Sequence, residues 1–145
     1  MYELDEKDMQ ILEVLKQNSH LSIGKIARKT GIPIATVHHR IKKLKTNGII
    51  KRYTIEVDHV KLGRKMIAYV MVKAMRKADQ SVLLHTIAKH DHVEEGAMIT
   101  GEFDLVFKVR VKDIDELNAV VIKYMRTLDE VAETRTFVSY EIVEK

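Results

Sequence analysis

The sequence predicts an α+β chain of two small domains: an N-terminal winged helix-turn-helix over residues 1–62 and a C-terminal ferredoxin-like βαββαβ domain over residues 63–145. Three observations predict it. Apolar residues recur at helical spacing up to Leu44, and strand-like alternation appears only after it. A strand-helix-strand pattern occurs twice between Met66 and Ile142. The positive charge is confined to one part: residues 1–62 hold 12 Lys/Arg against 7 Asp/Glu, and residues 63–145 hold 13 against 14. A domain takes roughly 100 to 200 residues, so 145 residues allow one ordinary domain or two with thin cores.

Asp5 has the place of an N-cap, with Leu4 before it and Met9 at the spacing of a hydrophobic staple, and Ile11, Leu12, Val14 and Leu15 follow as a buried stripe. The first helix therefore runs from about Glu6 to Gln17. Ser22 caps a short second helix carrying Ile23, Ile26 and Ala27, and Gly31 supplies the left-handed residue that ends it. Pro33 presets the first turn of a third helix, whose Ile34, Val37, Ile41 and Leu44 form an inward stripe. Its outer face presents Ala35, Thr36, His39, Lys42 and Lys43, flanked by His38 and Arg40. After Asn47-Gly48, the alternation of Tyr53, Ile55 and Val57 predicts a strand, a candidate wing.

Between Glu13 and Glu56 there is no acidic residue, while Lys16, Lys25, Arg28, Lys29, Arg40, Lys42, Lys43, Lys45, Lys51 and Arg52 bring ten positive charges. Like charges crowded in this way repel unless a polyanion neutralises them. A short helix, a glycine turn and a second helix with a basic outer face form a unit that fits the DNA major groove. Double-stranded DNA is the expected partner. Thr36, His39, Arg40 and Lys43 are candidates near base edges or adjacent phosphates, and Lys25, Lys42, Lys51 and Arg52 on the backbone. Arg40 has an alternative, an ion pair with an acid at a subunit contact.

Met66–Ala74 is apolar on both alternating faces, so both should be buried. Leu83, Leu84, Ile87 and Ala88 predict a helix, and Val93–Thr100 and Phe103–Val111 are strands joined by the turn Thr100-Gly101-Glu102. Asp113 and Glu116 offer an Asp-first capping box for a helix burying Ile114, Leu117, Val121, Tyr124 and Leu128, before a last strand at about 132–142. The order βαββαβ gives an antiparallel sheet with both helices on one face. An obligate dimer, pairing through the other face of the sheet, is expected; the alternative is the head folding back over that face.

In order along the chain, Leu4-Asp5 with Asp8 and Ile11-Leu12, Ile26-Ala27 with Gly31, Thr36-Val37, Arg40-Ile41 with Leu44, Gly48-Ile49-Ile50, Leu62-Gly63 and Gly101-Glu102-Phe103-Asp104 resemble the Lrp/AsnC (feast/famine) transcription regulators. The resemblance covers essentially the whole chain. It implies a winged helix-turn-helix head, a linking strand, a dimerising βαββαβ domain and assemblies up to tetramers or octamers. It also implies a small amino-acid effector held near the turn between the second and third strands, at contacts between dimers. On this chain that site takes Met98, Thr100, Gly101, Glu102, Asp104, Thr134 and Thr136. Glycine admits a ligand to the backbone, and Glu102 or Asp104 can pair with an α-ammonium group; the alternative is an ordinary hairpin turn with solvated acids. Many relatives have serine where Pro33 stands, and often an acid where Lys25 stands.

The remaining composition narrows the function. The chain has no cysteine, and MYELDEKD lacks the basic-then-apolar layout of a secretory signal, so the expected location is cytoplasmic, with no membrane partner. His85, His90 and His92 are too loosely spaced for an expected metal site, and no nucleophile-base pair or phosphate loop points to an enzyme or a cofactor. An architectural protein coating DNA with little sequence preference is the competing function.

Overall fold

The computed structural model describes residues 2–143, in two compact units that meet between Val57 and Asp58. In the first, α1 (Glu6–Gln17) starts where the Asp5 carboxylate accepts the Asp8 N–H at 2.9 Å and the Asp8 carboxylate accepts the Asp5 N–H at 3.2 Å. This is a capping box with aspartate at both ends. Ser22 Oγ accepts the Lys25 N–H at 3.4 Å to open α2 (Ile23–Thr30), and Gly31, at φ +70°, ends it. Pro33 takes the N-cap position of α3 (Ile34–Thr46) and gives no side-chain cap.

Ile11, Leu15, Ile26, Ala27, Ile32, Val37, Ile41 and Leu44 close one core. Ile34 departs from the expected inward stripe and is 61% exposed. At 100° per residue it stands 60° round α3 from Val37, and Ile32 in the preceding turn supplies the buried contact at that end. Ile49 and Ile50 fold back, both N–H groups reaching the Leu44 carbonyl. The strand expected at Tyr53–Val57 does not form. Alternation suits a strand but does not supply a neighbour for its backbone groups, and Tyr53, Ile55 and Val57 stand exposed.

The second unit contains β1 (Met66–Ala74), α4 (Gln80–Ala88), β2 (Val93–Met98), β3 (Leu105–Val111), α5 (Ile114–Val121), a 3-10 turn (Met125–Thr127) and β4 (Val131–Val138). The sheet order is β2-β3-β1-β4 with every pairing antiparallel, the ferredoxin-like order. Ala68, Val70 and Val72 of β1 and Leu105, Phe107, Val109 and Val111 of β3 pack against Leu83, Ile87, Leu117, Val120, Val121 and Met125. Their alternates Tyr69 and Met71 lie on the other face with Phe137, and Tyr69 and Phe137 remain 38% and 51% exposed. In a single chain this face of β1 is thus buried at Ile67 and open at Tyr69.

The unit differs from the sequence expectation in detail: β2 ends at Met98, β3 starts at Leu105, and α5 ends at Val121, so Tyr124 and Leu128 pack on the core from beyond the helix. Ile114, the first residue after the cap, is exposed, as is Ala88, while Val120 and Met125 fill the core. Glu116 reaches past the cap residue to the Lys112 N–H at 2.7 Å, while Asp113 accepts the Glu116 N–H. β4 ends at Val138, short of the expected 142.

Beyond α4, His90 Nδ1 lies 3.3 Å from the His92 N–H and its ring 4.6 Å from the Tyr124 ring. Burial, reinforced by His92, holds the His90 pKa below its ordinary value. A base with a lowered pKa contributes stability above its unfolded value, ~6.5. That contribution is lost as pH falls through the folded value. Thermal unfolding of the second unit is expected at lower temperature at pH 5 than at pH 7, with His90→Gln reducing the difference. An unchanged pH dependence in that variant would remove His90 from the account.

Candidate nucleic-acid interface

α2 and α3 are joined by the tight turn at Gly31, so the first turn of α3 and the N-terminal half of α2 line one open groove: Ser22, Gly24, Lys25, Arg28, Pro33 and Ile34. Lys25, Arg28, Lys29, His39, Lys42 and Lys43 are exposed on the two helices, and Thr36 is half-buried. Lys51 and Arg52 follow the head as exposed residues. Lys45 sits over the Tyr53 ring at 4.7 Å. These cations share a unit with a helix whose core stripe faces the other way, and that arrangement can grip a phosphate backbone.

Arg40 is paired within the head. Its guanidinium donates to the Asp5 and Asp8 carboxylates at 2.5 and 2.9 Å, inside the same head. The acids it pairs with belong to its own chain and not to a subunit contact, and Arg40 lines one open groove with Ala35, Thr36, His39 and Lys43. Asp8 is 1% exposed and also accepts the Tyr2 hydroxyl at 2.9 Å. The Arg40 guanidinium holds the Asp5 carboxyl below its usual range, and the two carboxylates hold Arg40 above its own. Partial burial and the bond to Asp8 push the Tyr2 hydroxyl up. Tyr2 and Asp8 were not legible as site-shaping residues. The available signal was an aspartate at the third position of α1, with an arginine set among the lysines and histidines of α3.

The candidate effector residues are not gathered by one chain. Met98 pairs with Leu105, Leu105 with Val72, and Val72 with Thr134, so Met98 and Thr134 occupy opposite edge strands. Three strand spacings, ~14 Å, separate them, with fully buried Leu105 and Val72 between. Thr136 is opposite Val70 on the same edge as Thr134. Thr134 is buried and accepts Arg126 Nε at 2.7 Å. In the turn, Gly101 has φ +126°, and Thr100 and Glu102 are exposed. Glu102 accepts Arg135 at 3.1 Å, and Arg135 covers the buried Phe103 ring at 4.8 Å. Asp104 is internally committed: its carboxylate accepts the Ala74 N–H at 2.8 Å and Gln80 Nε2 at 3.0 Å, tying β3 to the end of β1 and the start of α4. Of the two acids expected near an α-ammonium group, Asp104 is thus hydrogen-bonded within the domain, and Glu102 is exposed but paired with Arg135.

A basic helix-turn-helix joined to a βαββαβ domain defines a class, the two-domain DNA-binding regulators. Residues 4–51 match the family model described as winged helix-turn-helix DNA-binding, and residues 67–145 match the Lrp/AsnC ligand binding domain. An uncharacterized HTH-type transcriptional regulator of Pyrococcus abyssi is 37% identical over 144 residues, covering 98% of this chain and 96% of its own. The HTH-type transcriptional regulator FL11 of Pyrococcus horikoshii is 35% identical over 115 residues, 79% of this chain and 76% of its own. Among solved structures, E. coli AsnC superposes with a TM-score of 0.90 at 29% identity, covering 99% of this chain and 98% of its own. A Neisseria meningitidis transcriptional regulator solved as an L-methionine complex shares the fold, with a TM-score of 0.92 at 19% identity, covering 99% of this chain and 94% of its own. The chain belongs to the Lrp/AsnC family of DNA-binding transcription regulators. Among the described residues, no helix is long and apolar enough to cross a membrane.

Proposed function

We propose that this regulator works as a sequence-specific dimer, with Lys25, Thr36, His39, Lys42, Lys43, Lys51 and Arg52 on the DNA, and that a small amino acid adjusts which assembly is populated. The observation that carries the DNA part is the acid-free stretch between Glu13 and Glu56, of whose cations Lys25, Arg28, Lys29, Lys42, Lys43 and Lys45 lie exposed on α2 and α3. Domains of 1–62 and 63–145 divide the labour between reading and sensing. Dimerisation is supported by the half-exposed aromatics Tyr69 and Phe137 on the sheet face without helices. Tetramers or octamers of dimers follow the family pattern.

The effector reading is supported by the match of residues 67–145 to a ligand binding domain. Met98, Thr100, Gly101 and Glu102 form its exposed part. Thr134 and Thr136 lie on the opposite edge, so they join the same pocket only through a neighbouring copy. A ligand bound between dimers shifts the equilibrium only as far as it binds one assembly better than another. Footprinting with and without an amino-acid mixture tests this: the expected pattern is paired half-sites one or more turns apart, ~34 Å per turn, altered by the mixture. Isolated single half-sites would contradict the dimer. Lys42→Ala is expected to weaken binding alike on all sequences and reduce the log-log salt slope by ~1. An unchanged slope would take Lys42 off the backbone.

A further inference from the structure

We infer that α3 reads DNA at its N-terminal end by apolar contact with thymine methyl groups, through Ile34 and Ala35. The inference rests on the DNA-binding role and specifies its chemistry. In a helix-turn-helix the N-terminal residues of the second helix contact base edges. Here those residues are Pro33, Ile34, Ala35 and Thr36, and the first three have no side-chain hydrogen-bonding group. Ile34 is 61% exposed although the helix buries Val37, Ile41 and Leu44, and Ala35 is exposed beside it. Such a side chain contributes little to the core, and in water it is unfavourable.

The groove that Ile34 lines is flanked by Lys25 and Arg28. That charge fits an occupant with a phosphate backbone on its rim and an apolar group inside. Of the four bases only thymine displays a methyl group in the major groove, and apolar side chains are its matching contact. Hydrogen-bonding readout falls to Thr36 and His39 further along the helix, which line an open groove with Ala35.

The test starts from the duplex that the full-length protein selects out of a random pool. Each thymine is replaced in turn by deoxyuracil, which removes only the methyl group. Wild type is expected to lose about four-fold in affinity at one or two positions per half-site, the value for taking one methyl out of water. With Ile34→Ala the loss should fall towards one-fold at one of those positions, with an unchanged salt slope and unchanged circular dichroism. Two results would overturn the inference: no deoxyuracil position weakens wild type, or the same positions weaken Ile34→Ala and Ala35→Gly equally. If no sequence is selected from the pool although bulk DNA is bound, the sequence-specific reading fails and this inference fails with it.

Discussion

Asp8→Ala is expected to destabilise the DNA-binding head by about 2 to 4 kcal/mol, since removing one partner of a buried ion pair leaves the rest unmatched. The buried Asp8 carboxylate collects the Tyr2 hydroxyl, the Asp5 N–H and the Arg40 guanidinium, so its loss affects three donors at once. Asp5 still holds Arg40, which keeps the cost below that of a fully orphaned charge. Such a change is a large share of the ~5 to 15 kcal/mol that folds a typical domain. Amide hydrogen exchange resolves it by location: faster exchange should spread through α1 and α3 and leave the sheet of the second unit unchanged. DNA affinity should fall with it although Asp8 is buried, because the same network anchors α3 to α1. A wild-type exchange pattern would show that the network is not a support.

Gly96→Val is expected to be comparably disruptive in the second unit. A Cβ at residue 96 would lie 2.7 Å and 2.8 Å from Phe107 ring carbons and 3.0 Å from Leu84 Cδ1. Phe107 is fully buried between the sheet and the helices, so its ring has no free direction in which to retreat. Overpacking of this kind costs typically ~1 to 3 kcal/mol, with alanine at the lower end and valine at or above the upper. Phe107→Leu destabilises by itself, yet it makes room. Gly96→Ala combined with Phe107→Leu should therefore cost less than the sum of the two single changes. Additive costs would mean that the ring is not the obstacle.

The fold was legible where local rules and tertiary packing agree. Asp5, Ser22 and Gly31 cap the helices as their chemistry suggests, and the alternation in β1 and β3 matches the observed register. Failures occur where a second element decides. Ile34 and Ile114 have helical apolar spacing, but each begins its helix and remains outside the core. Tyr53–Val57 alternates like a strand and finds no ladder partner. At the site, the basic face was legible because charge is countable along a chain. The partners of Arg40 were not legible because they precede it by 32 and 35 residues. Asp104 carries a chemically suitable carboxylate, and only the closure of β3 on β1 and α4 shows that it is already in use.

The central claim is that a basic helix-turn-helix reads sequence and does not merely coat DNA. Competition binding of the full-length protein, with a selected duplex against bulk DNA at several salt concentrations, tests it most directly. The expected preference for the selected site is ~10³ or more, with affinity for both DNAs falling steeply as salt rises. A preference below about ten-fold, with the same salt dependence on both DNAs, would contradict it and leave a DNA-coating protein.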